Sequence, residues 1–158
     1  MTYVPEAALR LASRPEFDGL HDPIPGTALI EPYHDPVGLP TIGYGHLLGR
    51  KPWESLSRFA PITVEAAWEL LRSDMSKAAG AVDRLITARL NDNQRSAIID
   101  FTFNCGGGNL EISALRKVIN RGQFDLVPAQ LMRWVYARSV KLPGLVKRRA
   151  AEATLWDA

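Results

Sequence analysis

Apolar side chains recur at spacings of three and four residues over much of the chain, and this period predicts a mainly helical protein. The clearest stripe runs from Thr63 to Ile86, where Thr63 is suited to cap a helix and Glu65 to lie in its first turn. Its apolar members are Trp68, Leu71, Met75, Ala78, Val82 and Leu85. Such a stripe is typical of a helix face that packs into a core, so it predicts structure and not a cofactor site.

Proline, glycine and capping residues mark the ends of the other predicted helices. Proline fits the first turn of a helix but disrupts its interior, and glycine readily adopts the left-handed conformation that ends one. A first helix is predicted over about 5–15, between Pro5 and Pro15. After the long stripe, Asn91 begins a helix that ends at Gly106-Gly107-Gly108, and a further helix runs from Glu111 to Gly122. The last two helices begin at Pro128 and Pro143. A helical lobe over about 63–156 follows from these boundaries.

The stretch from 28 to 44 has a different pattern, in which strand-forming residues surround one turn signal. The strand formers are Ile30, Tyr33, Val37 and Ile42, and the turn residues are Asp35, Pro36 and Gly38. This pattern predicts a small β-hairpin with a third short strand after Gly45, and hence a β lobe over about 29–50. Residues 17–28 are rich in Asp, Gly, His and Pro, which predicts a loop. The fold class is therefore α+β and mostly α.

The composition is that of a globular chain and narrows the possible functions. The length of 158 residues suits one domain over 1–158, with 46% hydrophobic and 23% charged residues. A net charge of +2 is too weak to indicate nucleic acid, but it is compatible with an anionic polymer as substrate. No apolar run approaches the roughly 20 residues that cross a bilayer, and no signal peptide is seen. We therefore expect a protein held in the cytoplasm without stable membrane association.

Neither a metal nor a cofactor is predicted. Cys105 is the only cysteine, so no intramolecular disulfide is possible, and no Cys/His cluster has zinc spacing. Without an identified activating partner, Cys105 is interpreted as a small buried hydrophobe. The basic run Lys147-Arg148-Arg149 is interpreted as a solvated helix face, with an anion contact as the alternative.

Asp35 and Thr41 are the candidates for chemistry that the hairpin itself suggests. Asp35 precedes the turn and Thr41 lies on the returning strand, so both side chains can face one cleft. A carboxylate and a hydroxyl held in this way can share a water, which the carboxylate deprotonates while the hydroxyl orients it. The alternative is that both residues make only local turn hydrogen bonds.

The run 33–46, YHDPVGLPTIGYGH, resembles the active-site hairpin of phage-type lysozymes, the T4-like endolysins of glycoside hydrolase family 24. In that family five residues separate the Asp from the Thr, as they do between Asp35 and Thr41. Two further stretches resemble family motifs in the same order: LNDNQ through DFTFNCG over 90–106, and RWVY with LPGLVKRRAAE over 133–152. The resemblance extends from about Tyr33 to Trp156.

The resemblance implies a lysozyme-like fold, with a small β-hairpin lobe, a larger helical lobe and an active-site cleft between them. The implied reaction is hydrolysis of the β-1,4 bond between N-acetylmuramic acid and N-acetylglucosamine in peptidoglycan, without a cofactor. Members of this type are inverting, which requires two carboxyl groups about 6.5–9.5 Å apart. The implied partner is the glycan strand, bound by a monomer that leaves the host cytoplasm through a holin-type pore. A peptidoglycan-binding protein that lost catalysis and a lytic transglycosylase are the alternatives.

The proton donor of the family is a Glu nine residues before the Asp, but here that position is Gly26, which cannot donate a proton. Glu16 is the preferred donor, because it lies at the end of the first helix and requires only an inserted loop over about 17–28. Such insertions cost little closure entropy. Glu31, which a strand period of two would place on the same face as Asp35, and Asp18 are the alternatives.

The remaining roles carried over from the family are contacts to substrate. The resemblance places Tyr33, His46 and Asn104 there, with Asp35 as base and Thr41 as the residue that helps to place water. The side-chain amide of Asn104 suits sugar hydroxyl and N-acetyl groups, with a helix-end cap as its alternative role. No serine or second carboxylate is placed to form a triad with His34 or His46, so His46 also has a structural interpretation.

Overall fold

The computed structural model describes residues 2–17 and 24–158. Asp18 and half of the loop expected over 17–28 lie outside the described residues. The α-helices are α1 Glu6–Ala12, α2 Val64–Leu85, α3 Asp92–Cys105, α4 Gly107–Ile112, α5 Ala114–Asn120, α6 Val127–Leu131 and α7 Pro143–Asp157, with short 3₁₀ turns at Pro15–Phe17 and Phe124–Leu126. Among the described residues, no helix is long and apolar enough to span a membrane.

The strands are short and all pair in antiparallel fashion. They are β1 Leu29–Ile30, β2 Tyr33–His34, β3 Pro40–Ile42, β4 His46–Leu47, β5 Ile62–Thr63, β6 Tyr136–Ala137 and β7 Val140–Lys141. The central sheet, β2-β3-β4, is the predicted hairpin together with its third strand after Gly45. In addition, β1 pairs with β5, and β6 pairs with β7.

Several helix ends are those that the sequence predicts. The Thr63 side chain accepts a hydrogen bond from the backbone of Ala66 and caps α2. Asn91 and Gln94 form a reciprocal capping box at the start of α3. After α5, Gly122 has φ 73° and its N–H donates to the Ile119 carbonyl, as the left-handed C-terminal motif requires.

The predicted single helix between Glu111 and Gly122 is wrong, because two helices meet there. Gly106, with φ 94°, separates α3 from α4, but the two glycines that follow it are helical. Ser113 then breaks the helix by adopting an extended conformation, and its hydroxyl accepts from the Arg116 N–H to begin α5. The cap at Ser113 therefore sets this boundary.

The pair β6–β7 was not predicted from the sequence. Its turn consists of Arg138 and Ser139, both in the left-handed region with φ 49° and 65°. Such a hairpin turn usually carries glycine or asparagine, so the local sequence contains no signal for it.

Helix α3 lies at the centre of the helical lobe and packs against α1, α2 and α7. Ile98, Ile99 and Phe101 on α3 are completely buried. Because neighbours surround it, α3 carries buried residues on several faces instead of a single stripe. Its C-terminal end and the adjoining face of α2 lie opposite the β lobe, and a cleft separates them.

Candidate active site

The turn between β2 and β3 fixes the Asp35 carboxylate. Its Oδ1 atom accepts hydrogen bonds from the Val37 and Leu39 N–H groups at 3.0 and 2.8 Å. The Asp35 N–H donates to the Leu39 carbonyl at 2.9 Å, and Gly38 completes the turn with φ 88°. Two backbone donors to one oxygen hold the carboxylate in a single orientation. Within the described part of the chain, Oδ2 makes no hydrogen bond and remains able to accept one.

Thr41 lies on β3 directly opposite Tyr33 on β2, so these two side chains share one face of the sheet. Thr41 is buried, and its hydroxyl donates to the Leu39 carbonyl at 2.9 Å. The local turn hydrogen bonds considered for Asp35 and Thr41 therefore form. They leave the second Asp35 oxygen and the lone pairs of the Thr41 hydroxyl as acceptors on this hairpin.

Glu16 lies in the 3₁₀ turn that follows α1. Its side chain is 47% exposed and its Oε1 lies 3.9 Å from the Arg14 guanidinium. The next residue, Phe17, is buried, and its ring lies 5.4 Å from the Arg148 guanidinium of α7. The turn is thus packed onto α7 through Phe17 while the Glu16 carboxylate stays accessible.

Glu31 is exposed and does not lie in a strand. It falls between β1 and β2, which belong to different sheets, and Pro32 follows it without an N–H to continue a ladder. The expectation that a strand period of two aligns Glu31 with Asp35 is therefore wrong. Asp18, the remaining alternative acid, lies outside the described residues.

A pocket of about 360 Å³ opens between β4 and the facing surfaces of α2 and α3. Its walls include His46 and Leu47 from the β lobe and Asp74, Lys77 and Phe103 from the helices. The His46 Nδ1 atom lies 2.7 Å from the Asp74 carboxylate, so this nitrogen donates and the hydrogen bond joins the two walls. His46, one of the residues predicted to contact substrate, therefore lies in the wall of the cleft. It also has a structural role, because its hydrogen bond to Asp74 joins the β lobe to α2.

Trp53 is a further residue of the β lobe, attached to the same turn as Asp35. Its N–H donates to the Gly38 carbonyl at 2.8 Å, and its φ is 61°. A bulky residue in the left-handed region costs about 1–3 kcal/mol and persists only where the surroundings impose it. The indole is nevertheless 65% exposed. Sequence reasoning did not single out this residue.

The basic run on α7 is not a solvated face. Arg148 and Arg149 are buried, and only Lys147 is exposed. Arg148 makes two hydrogen bonds, of 2.9 and 2.7 Å, to the completely buried Asp100 carboxylate on α3. The interpretation as a solvated face is therefore wrong for two of the three residues, because the guanidinium groups of Arg148 and Arg149 are buried and hydrogen-bonded inside the helical lobe.

Arg149 orients Asn104 at the end of α3. Its guanidinium donates to the Asn104 Oδ1 atom at 2.8 Å and contacts the Cys105 sulfur at 2.6 Å. Because arginine can only donate, the amide oxygen points inward and the amide N–H groups remain available. Cys105 is partly buried, and burial raises the pKa of its thiol. Asn104 is thus held by a side chain and presented at the surface.

The Arg149 guanidinium also lies 2.7 Å from the carboxyl group of Glu152, which is completely buried. Distance alone suggests an ion pair, but burial raises the pKa of Glu152 well above its usual value, and the nearby Asp100 adds to this effect. Among residues 2–17 and 24–158, the Glu152 Oε2 atom finds no hydrogen-bond donor. A proton on Glu152 supplies the missing donor toward Asp100, whose own pKa is lowered because the charge and hydrogen bonds of Arg148 outweigh its burial.

A pH dependence of stability follows for Glu152→Gln. Unfolded Glu152 ionises near pH 4.3, whereas the folded group keeps its proton at higher pH. Wild-type stability therefore falls as pH rises from about 4.5 through the raised folded pKa, and the glutamine variant should lack this fall. Urea unfolding between about pH 4.5 and 7.5 measures it, with the exposed Glu111→Gln as control. Parallel wild-type and Glu152→Gln profiles would contradict this assignment.

Comparison with known proteins decides the family. A family model described as phage lysozyme matches residues 26–152. The chain belongs to the phage lysozyme family. Its relatives include the SAR-endolysin of Escherichia phage Mu, 33% identical over 126 residues that cover 80% of this chain and 70% of the relative. The endolysin of Acyrthosiphon pisum secondary endosymbiont phage 1 is 32% identical over 133 residues, covering 82% and 87%.

Solved structures of other phage lysozymes and muramidases share the fold. The muramidase domain of SpmX from Asticaccaulis excentricus superimposes with a TM-score of 0.77 at 26% identity, over 100% of this chain and 99% of that one. The endolysin from Escherichia coli O157:H7 phage FAHEc1 also gives 0.77, at 27% identity over 98% and 92%. The predicted α+β lysozyme-like fold is confirmed, as is the resemblance on which it was based.

Proposed function

We propose that this phage lysozyme is an endolysin that cleaves bacterial peptidoglycan as a lysozyme-type glycoside hydrolase. The observation that carries the proposal is the Asp35–Thr41 hairpin inside the matched family region, with one carboxylate oxygen fixed and the other available. The bond cleaved is the β-1,4 link between N-acetylmuramic acid and N-acetylglucosamine. The reaction proceeds by general acid–base catalysis and inverts the anomeric centre.

In this mechanism Asp35 acts on the attacking water. Val37 and Leu39 hold Oδ1, so the second oxygen, Oδ2, accepts the water proton. The Thr41 hydroxyl donates to Leu39 and so offers only its lone pairs to the same water. This arrangement favours a water oriented by two acceptors on one side of the sugar ring.

Glu16 is the proposed proton donor to the leaving sugar oxygen. The packed neighbour Phe17 fixes its turn against α7, while its carboxylate stays accessible to substrate. Glu31 is the weaker candidate, because it lies between two sheets without the alignment first expected.

Three side chains are proposed to contact the glycan. Asn104 presents amide donors because Arg149 occupies its oxygen. His46 lies in the cleft wall, and Tyr33 lies on the sheet face opposite Thr41. Amide and imidazole donors suit the hydroxyl and N-acetyl oxygens of peptidoglycan.

The test is lysis together with product analysis. The chain should reduce the turbidity of Gram-negative cells whose outer membrane has been permeabilised, and release reducing ends from purified peptidoglycan. Mass spectrometry of the muropeptides distinguishes hydrolysis from transglycosylation, since the anhydro product is lighter by one water per cleavage. Peptidoglycan binding without new reducing ends, or anhydro products alone, would contradict the proposal.

The chain is further proposed to act as a monomer that reaches the cell wall from the host cytoplasm through a holin-type pore. Its relatives are phage endolysins, and the substrate lies outside the inner membrane. Expression with and without a holin tests the route. Equal lysis in both cultures would show that the chain needs no such pore.

A further inference from the structure

The exposed indole of Trp53 is the feature of the β lobe that the proposed mechanism leaves unused. Its exposure of 65% is unusual for so large an apolar group, because exposing it to water is unfavourable. The chain contains four tryptophans, and the other three are partly or fully buried. Such exposure, combined with a strained backbone, points to a binding role.

The position of the ring is closely determined. One face lies directly over Gly38, so near that a β-carbon at Gly38 would lie 2.5 Å from an indole atom. The backbone N–H of Trp53 donates to the carbonyl of the same glycine at 2.8 Å. A residue with any side chain at position 38 would displace the indole, so the turn and the ring fit each other.

His34 supports the ring from a second direction. The two ring centres are 5.2 Å apart with a tilt of 55°. The Nε2 atom of His34 donates to the Glu54 carbonyl at 2.7 Å, which fixes the imidazole. The Glu54 side chain is in turn paired with Arg58 at 2.9 Å. The side of the indole that faces Gly38 and His34 is therefore fixed by contacts, and the opposite side is exposed to solvent.

We propose that Trp53 is a stacking platform for a sugar ring of the glycan strand, adjacent to the catalytic turn. The inference rests on the proposed function, because it takes peptidoglycan as the substrate. The link to the catalytic turn is direct: Gly38, which touches the indole, donates its N–H to the Asp35 carbonyl at 2.9 Å. One turn thus positions both the proposed base and the platform.

The surroundings favour a saccharide over a membrane or protein partner. The exposed residues within four positions of Trp53 in the sequence are polar or charged: Arg50, Lys51, Ser55 and Ser57. A membrane or protein interface requires a larger continuous apolar patch. A pyranose ring has one apolar C–H face for the indole and hydroxyls at its rim for polar neighbours, which matches a single ring in a polar setting.

The experiment measures binding by tryptophan fluorescence in the Glu16→Gln background, where the ligand is not hydrolysed. The probes are the hexamer of N-acetylglucosamine and purified peptidoglycan. Adding the hexamer should shift the emission to the blue and change its intensity, and this response should vanish in Trp53→Phe, whose remaining tryptophans are partly or fully buried. Isothermal titration calorimetry with the hexamer, which does not depend on tryptophan emission, should show that Trp53→Ala weakens binding about three- to tenfold and that Trp53→Tyr restores part of it. Leu126→Ala, which shortens another exposed apolar side chain, is the control.

With Glu16 intact, Trp53→Ala should raise KM for peptidoglycan by a similar factor and leave kcat nearly unchanged. Equal affinity and KM in wild type and Trp53→Ala would overturn the inference. So would an emission shift with vesicles of phosphatidylethanolamine and phosphatidylglycerol (3:1) but not with the hexamer. The proposed function fails separately: a wild-type chain that shows Trp53-dependent binding without cleavage would refute catalysis and leave the platform in place.

Discussion

Glu16→Gln is expected to lower peptidoglycan cleavage by about 10²–10⁴-fold while the chain folds normally, because the glutamine amide is too weak an acid to protonate the leaving sugar oxygen. The side chain is half-exposed and forms only a long ion pair with Arg14, so the substitution removes little stability. The measurement is the initial rate of reducing-end release, with circular dichroism and thermal unfolding as checks on folding.

Glu31→Gln is the matched control, since it makes the same chemical change at another exposed glutamate of this region. It should retain most activity, whereas Asp35→Asn should lose activity to an extent comparable with Glu16→Gln. If Glu16→Gln were fully active and Glu31→Gln inactive, the assignment of Glu16 as the proton donor would be wrong and Glu31 would be the donor. If neither substitution reduced the rate, the donor would lie elsewhere in the chain.

Arg148→Met should destabilise the protein by about 3–5 kcal/mol, because it leaves the completely buried Asp100 carboxylate without its cation. Methionine fills much of the aliphatic volume of arginine. The lost free energy of unfolding is therefore due more to the missing charge pair than to poorer packing. The change also removes the guanidinium contacts to the rings of Phe17 and Phe103. Urea unfolding at neutral pH measures the free energy of unfolding.

Arg10→Met is the control for this comparison. Arg10 pairs with Glu6 on the surface of α1, where both side chains are more than 70% exposed, 72% and 78%. Its loss should cost less than about 1 kcal/mol. The double variant Asp100→Leu/Arg148→Met should recover much of the lost stability, since it leaves no unpaired charge. A single Arg148→Met variant as stable as Arg10→Met would refute the buried pair.

The elements that could be predicted from the sequence are those specified by local chemistry. The capping residues Thr63 and Asn91 each begin a helix by a side-chain hydrogen bond that involves neighbours three residues away. The hairpin around Asp35 is likewise encoded by its own turn residues, and its five-residue spacing to Thr41 carried the family resemblance. These signals require no knowledge of tertiary contacts.

What could not be predicted depends on partners distant in sequence. In the sequence, Arg148 has the pattern of a solvent-facing charge on a helix. Only the packing of α7 against α3 places it next to Asp100. The positive φ of Trp53 occurs where the residue contacts Gly38 and His34, which are 15 or more positions away, and the local sequence contains no signal for it. The tertiary packing that buries a charge or exposes an aromatic ring thus overrides the local pattern.

The acid position is the point at which the family pattern and this chain diverge. The family spacing leads to Gly26, which has φ 78° and lies in a turn. Glu16 remains a prediction, because it is separated from Asp35 by the loop first expected over 17–28. The proposal that it donates the proton depends on the mutational comparison with Glu31.

The short pairing of β1 with β5 has a consequence for how this enzyme can be recombined. Leu29 and Ile30 bond to Thr63 and Ile62, so the chain enters and leaves the β lobe at adjacent points. Residues 31–61, which carry β2, β3, β4 and Trp53, therefore form a segment whose two ends are held next to each other by the β1–β5 pairing. Exchange of this segment leaves the distance between its two ends unchanged. Chimaeras that keep the β1–β5 pairing should therefore accept residues 31–61 of another family member, together with the proposed base and the proposed glycan contacts of that segment, in one step.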